Sequence, residues 1–256
     1  MSVPRIEAFD LAEWVIHYAG RIQHNLTSSS IKTPMLSEMG ITVDYDEFQR
    51  RKESFHGALK RTIAQTYEVP EENILTTCSG SEALFLTIGS TVGPGDEVLA
   101  TTPNYAPTFQ VPRFLGAQVK LLPCLDEENF QPDITRLAEA LSARTKLLIV
   151  TNSNNPTGCS IGEKLLREIL DLAKTSTVIV DEAFREFGFE NAAPIGAKLK
   201  ENCMSVGTLS KFYGADDLRI GWIIANKDQI ERASKLKRWV TIENSIFSEM
   251  LACRII

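Results

Sequence analysis

Histidine is scarce in this chain of 256 residues: there are three, His17, His24 and His56, all in the first quarter. They form no ligand-like cluster, so no metal site is expected. Cysteine gives no framework either. Cys78, Cys124, Cys159, Cys203 and Cys253 show neither CxxC pairing nor regular spacing and read as reduced thiols. No apolar run approaches the roughly 20 residues that a membrane span needs, so no membrane partner is expected. The opening Met-Ser-Val-Pro-Arg-Ile-Glu lacks an apolar signal core, which predicts a cytoplasmic protein. A basic surplus is missing too, since the formal net charge is −6, and that argues against a nucleic-acid partner. What is present is an ordinary globular composition, 43% hydrophobic and 23% charged, with material for a sizeable core.

Short apolar runs at 74–77, 97–101, 118–122, 146–151, 178–180, 204–209 and 220–225 predict strands. Helical patterns lie between them, at 82–92, about 105–115, after Asp133, at 161–174 and at 229–241. Such alternation predicts βα units and an α/β fold around a mostly parallel, buried sheet. Upstream, 46–68 carries a helical stripe of Phe48, Phe55, Leu59, Ile63 and Tyr67, residues 1–20 show looser helical spacing, and 25–34 reads as a polar linker.

Ligands of such sheets sit beyond the carboxyl ends of the strands. Five predicted strand ends carry chemistry. Ser79-Gly80-Ser81 opens a helix and can offer N–H groups to a phosphate, although a plain Ser cap would look the same. Tyr105, between Pro103 and Pro107, can lay its ring on a flat ligand or pack on the next helix. Asn155-Pro-Thr-Gly158 holds an amide at a rigid turn, where it can donate to a phenolate-like oxygen. Asp181 ends an all-apolar strand and needs a positive partner, either a protonated ring nitrogen or a core arginine. Lys211 follows the last apolar run but one, with Thr208 before it and Arg219 after it. A lysine can make an imine with an aldehyde, and an arginine can grip a phosphate.

Taken together, Ser79-Gly80-Ser81, Tyr105, Asn155-Pro-Thr-Gly158, Asp181 and Thr208-x-x-Lys211…Arg219 resemble the pyridoxal-phosphate enzymes of fold type I, specifically the class I/II aminotransferases. The resemblance covers about 46–256. It implies a three-layer α/β/α large domain with pyridoxal 5′-phosphate as cofactor and a Schiff base on Lys211. Asp181 would pair with the pyridine nitrogen, Asn155 would bond the 3-oxygen, and Tyr105 would stack on the ring. Ser79, Gly80, Ser81, Thr208 and Arg219 would hold the phosphate. The implied activity moves an amino group from an amino acid to a 2-oxo acid in a homodimer, with 240–249 approaching the neighbouring subunit's cofactor. A lyase or decarboxylase of the same fold, or a cofactor-binding protein without turnover, are the alternatives.

The chain departs from the family pattern in four places. Phe184 stands where the family carries a tyrosine that bonds the 3-oxygen, so the imine is expected to hold its proton to higher pH. Asp217 replaces a glycine before Arg219 and is expected to face solvent. The tyrosine that a neighbouring subunit lends to the phosphate has no clear counterpart; Tyr45 is the candidate. Last, the small C-terminal domain, whose arginine holds the substrate carboxylate, is expected to be absent. On this basis 1–45 is an N-terminal segment belonging to the small domain or entrance, and 46–256 is a large domain cut short at its C-terminal end. Ile246, Phe247, Met250 and Leu251 are then expected to lie uncovered.

Overall fold

Three runs in the middle of the chain are aliphatic almost without a break, and a strand buried on both faces is the form such runs take. The computed structural model, which describes residues 7–18, 21–24 and 27–256, sets them side by side as β4 (Thr145–Thr151), β5 (Thr177–Asp181) and β6 (Cys203–Thr208). With β1 (Ile74–Thr77), β2 (Glu97–Thr102), β3 (Gln118–Pro123) and β7 (Gly221–Ile224) they make one seven-stranded sheet, ordered β1-β7-β6-β5-β4-β2-β3. Parallel pairing joins β3, β2, β4, β5 and β6, whereas β7 runs antiparallel to both β6 and β1. β1 therefore points the same way as β6, and six strands end on one edge.

The helices are α1 (Asp10–Tyr18), α2 (Tyr45–Arg51), α3 (Ala58–Tyr67), α4 (Gly80–Gly89), α5 (Pro107–Phe114), α6 (Ile134–Ala140), α7 (Glu163–Leu172), α8 (Gly196–Leu199), α9 (Lys227–Lys237) and α10 (Ile246–Ile255). Strand side chains alternate between two cores. Leu147 and Ile149 of β4 pack with Leu86 and Ile88 of α4 and Ala233 of α9, while Leu148 and Val150 meet Leu137 of α6 and Leu166 and Ile169 of α7. On that second face, Trp222 and Ile224 of β7 rest against Leu59 and Ile63 of α3 and Ala252 of α10. The result is three layers, helix on sheet on helix. Among the described residues, no helix is long and apolar enough to cross a membrane.

Several expectations change. The pattern over 46–68 is not one helix but α2, a 3₁₀ turn over Lys52–Phe55, and α3. Gly57 breaks it with φ of +70°, a left-handed conformation that a glycine adopts without strain. Of the looser pattern over 1–20, the structure shows α1; residues 1–6 and 19–20 lie outside the described part, as do 25–26 of the linker. The described remainder of that linker lies on the turn after β6: Ile31 N–H donates to the Lys211 carbonyl (3.3 Å), and an added Cβ at Gly214 would stand 2.7 Å from Ile31 Cγ1. Its polar residues bond to that turn rather than merely facing water. Met250 and Leu251, expected to lie uncovered, are 5% and 3% exposed. Ile41 and Phe48 cover them, with Leu36, Phe55, Ile246 and Phe247 around the edge. Apolar residues of the N-terminal part close over α10, a pairing too distant in sequence to leave a local mark.

Candidate active site

The edge where six strands end is built first from the turn after β1. Thr77 Oγ1 donates to the Ser79 carbonyl (2.9 Å), and the Ser79 hydroxyl caps α4 by accepting the Glu82 N–H (3.5 Å). Ser79 itself has φ of 90° and ψ of 165°, a conformation that side-chain-bearing residues rarely hold. Two glycines let the neighbouring strands β6 and β7 close on this turn. An added Cβ at Gly80 would stand 3.2 Å from Thr208 Cβ, and one at Gly221 would stand 2.4 Å from the Ser79 carbonyl carbon. Gly221 pairs with both Thr77 and Thr208, so β7 brings the ends of β1 and β6 together. Gly221→Ala is expected to lose about 1–3 kcal/mol of stability in denaturant unfolding and to weaken anion binding at the turn. An unchanged midpoint would contradict this close approach.

Thr208 Oγ1 stands 3.1 Å from Ser210 Oγ and 3.2 Å from the Ile220 carbonyl. Arg219 has a left-handed backbone, φ +53°, and its Nη1 donates to the Asp216 carbonyl (2.8 Å), leaving the exposed guanidinium beside the turn. Asp217 is exposed, as expected. Tyr105 is half-buried, with the ring of Phe9 edge-on at 5.6 Å between centroids. Burial raises its hydroxyl pKa, a hydrogen bond with Ser81 opposes that, and the charges of Asp181 and Arg219 both reach it. The groups from β1, β2, β5 and the segment after β6 thus share one electrostatic neighbourhood.

Asp181 closes β5, 4% exposed, paired in register with Thr151 of β4 and Val206 of β6. Its carboxylate accepts the Ala183 N–H (3.1 Å), and no side-chain cation of the described residues forms an ion pair with it. Burial pushes it up from 3.8 to about 6, against the Ala183 bond and the charge of Lys211. Lys211 moves the other way. Burial and, to a smaller degree, Arg219 lower its pKa, while Asp216 and Asp181 oppose them. Its Nζ donates to Ser29 Oγ (2.8 Å) and lies 5.4 Å from the centroid of the Phe184 ring. Asn155 stands half-buried on the loop after β4. Asn154 anchors that loop: its Nδ2 donates to the Pro103 carbonyl (3.1 Å) and its Oδ1 accepts Thr157 Oγ1 (2.9 Å).

All nine residues singled out from the sequence, Ser79, Gly80, Ser81, Tyr105, Asn155, Asp181, Thr208, Lys211 and Arg219, lie on this edge or on the turns that leave it. Sequence reasoning missed Ser29 and Asn154. The first sits in a run of serines with nothing to distinguish it; the second stands beside Asn155, where doubled asparagine was the available signal. Tyr45 is 59% exposed and packs against Phe48 and Phe247, on α2 and α10. The edge suits pyridoxal phosphate on three counts: a buried carboxylate in no ion pair among the described residues, a helix N-terminus after a strained turn, and an amine of lowered proton affinity.

Residues 32–253 match the family model described as aminotransferase class I and II. Capreomycidine synthase of Streptomyces vinaceus is 32% identical over 187 residues, 72% of this chain and 48% of that protein. Histidinol-phosphate aminotransferase of Francisella philomiragia is 32% identical over 210 residues, 81% of this chain and 56% of that protein. Among solved structures, a PLP-dependent aminotransferase from Streptococcus suis superposes with a TM-score of 0.88 at 26% identity, over 99% of this chain and 71% of that one. The chain spans about half the length of the curated relatives it matches.

Proposed function

The chain belongs to the class I and II aminotransferase family, whose members use pyridoxal 5′-phosphate, and we propose that its sheet edge binds this cofactor and transfers an amino group from an amino acid to a 2-oxo acid. The observation that carries the reading is the opposed pair on β5 and after β6: a buried carboxylate at Asp181 and an amine at Lys211, each reaching the other electrostatically.

When bound, pyridoxal phosphate supplies an electron sink for the bond broken at the substrate Cα. The rest falls to side chains of this protein. Lys211 Nζ would be the point of covalent attachment and, once freed, the base that takes the substrate Cα proton and gives a proton back to Cα when the second oxo acid reverses the exchange. Its lowered proton affinity keeps a larger share of the amine free at neutral pH. Asp181 would accept a hydrogen bond from the protonated ring nitrogen, a cation that would offset the burial of the carboxylate. Asn155 would donate to the ring oxygen, and Tyr105, hydrogen-bonded to Ser81, would stack on the ring. The N–H groups of Ser79, Gly80 and Ser81, the Thr208 hydroxyl and the Arg219 guanidinium would hold the phosphate.

A homodimer belongs to this proposal. Trp239, Val240 and Ile242 are 87%, 49% and 71% exposed on the turn after α9, apolar surface that a second copy would cover. So do a cytoplasmic location, supported by five free cysteines, and the assignment of 1–45 to the entrance, supported by the Ser29 contact with Lys211.

The decisive assay incubates the chain with pyridoxal phosphate, an amino acid and 2-oxoglutarate or pyruvate. Exchange of the amino group supports transfer; release of ammonia or carbon dioxide would replace it with a lyase, and binding without any exchange would leave only a cofactor-binding protein. Phe184→Tyr tests a finer point. The added hydroxyl can donate to the ring oxygen, and the visible absorbance of the loaded chain is expected to titrate about one pH unit lower than in the wild type. A midpoint that stays put or rises would show that Phe184 does not face that oxygen.

A further inference from the structure

Behind the Ser79 turn lies a buried polar network that none of the roles above uses. The Lys237 and Glu82 side chains are 6% and 7% exposed, with Nζ 3.4 Å from Oε2. The same Oε2 accepts the Cys78 N–H (2.5 Å), and Oε1 accepts the Thr241 hydroxyl (2.5 Å). Lys237 also donates to Thr241 Oγ1 (2.6 Å) and Asn244 Oδ1 (2.9 Å), so its three N–H groups are all engaged. Asn244 Nδ2 and Thr76 Oγ1 both donate to Glu249 Oε1, at 3.0 and 2.8 Å, which ties the network back to β1.

A buried ion pair adds little net stability over an apolar pair of like volume, because desolvating both charges offsets most of their attraction. What it does supply is position. Ser79 holds a conformation open essentially to glycine alone, which costs roughly 1–3 kcal/mol and persists only where its surroundings over-determine it. Glu82 grips the N–H of the residue before it, Thr77 grips its carbonyl, and Gly221 lets β7 close on it. Lys237, reaching up from α9, neutralises a carboxylate that stands at the first turn of α4, close to where a phosphate dianion would bind.

We propose that Glu82, supported by Lys237, is a positioning residue that holds the 78–80 turn in its phosphate-accepting form, with the Lys237 ammonium cancelling a charge that would otherwise repel the dianion. The inference rests on the phosphate site proposed above.

The test compares pyridoxamine 5′-phosphate with pyridoxamine, neither of which forms an imine, by calorimetry on the full chain. The wild type is expected to prefer the phosphorylated ligand. In Glu82→Ala that preference falls about tenfold or more, with pyridoxamine itself little affected, and Glu82→Gln, which keeps an acceptor for the Cys78 N–H, restores most of it. Lys237→Met also lowers the preference, and adding Glu82→Gln to it recovers the loss; this second pair decides the matter should Glu82→Ala fail to fold. Equal weakening of both ligands in Glu82→Ala, or an unchanged preference in Lys237→Met, would overturn the inference. A wild-type chain that binds pyridoxamine phosphate no better than pyridoxamine would overturn the phosphate site itself, before any substitution is made.

Discussion

Lys211→Ala is expected to lower amino-group transfer by at least ~10⁴-fold, because one substitution removes both the proposed covalent anchor and the proposed base for the Cα proton. The two losses can be separated. Borohydride reduction of the loaded wild type should leave a pyridoxyl group on the peptide that carries Lys211, and the variant should leave none. A tag on any other lysine would move the chemistry away from the turn after β6. The fold should survive, since Lys211 is only half-buried and its Nζ donates a hydrogen bond to a single side chain of the described residues, Ser29 Oγ at 2.8 Å. Added methylamine supplies a small base but no anchor, so partial rescue of the rate without rescue of the tag is the expected pattern.

Asp181→Asn is expected to cost on the order of 10³-fold in turnover while making the chain without added cofactor more stable. The two effects share a cause. Burial raises the folded-state pKa of Asp181 from 3.8 to about 6. Between those values the folded chain keeps a proton that the unfolded chain has released, so stability is full below the lower value and is lost as pH rises through the upper one. Above pH 7 the ionised carboxylate then costs roughly 3 kcal/mol, which a neutral amide of similar shape avoids. Urea unfolding at pH 8 should find the variant more stable than the wild type, with the gap closing near pH 4. The loss of turnover follows because an amide cannot keep the ring nitrogen protonated. A variant less stable than the wild type at pH 8, with full activity, would show that Asp181 is a structural carboxylate.

Much of the fold was legible because each βα unit announces itself locally. The run ending at Asp181 is aliphatic to its last residue, and β5 stops where that run stops. A helix was expected after Asp133, and there the Asp133 side chain caps α6 by accepting the Arg136 N–H at 2.7 Å. The nine candidate residues stood out because most of them are polar groups at or just after the ends of apolar runs, where an open α/β sheet meets its ligands. What stayed hidden depends on pairings across long stretches of chain. Nothing near Ile224 says that it will lie between residues 74 and 205, its partners on either side. Glu82 read as one more helical residue because Lys237, which meets it, is 155 positions away. The break at Gly57 was obscured by a stripe of aromatic and aliphatic residues that kept helical spacing on both sides of it.

The reversed strand carries a consequence for synthesis on the ribosome. Residues 74–80 emerge early and residues 203–211 late, and although α4 packs on the sheet, β1 has no strand to pair with until β7 threads between it and β6. A nascent chain released only as far as position 220 owns every group proposed to hold the cofactor but lacks the strand that pairs with both Thr77 and Thr208. Vitamin B6 should therefore be captured only after the last strand is delivered, and contacts of such long sequence separation make that step slow.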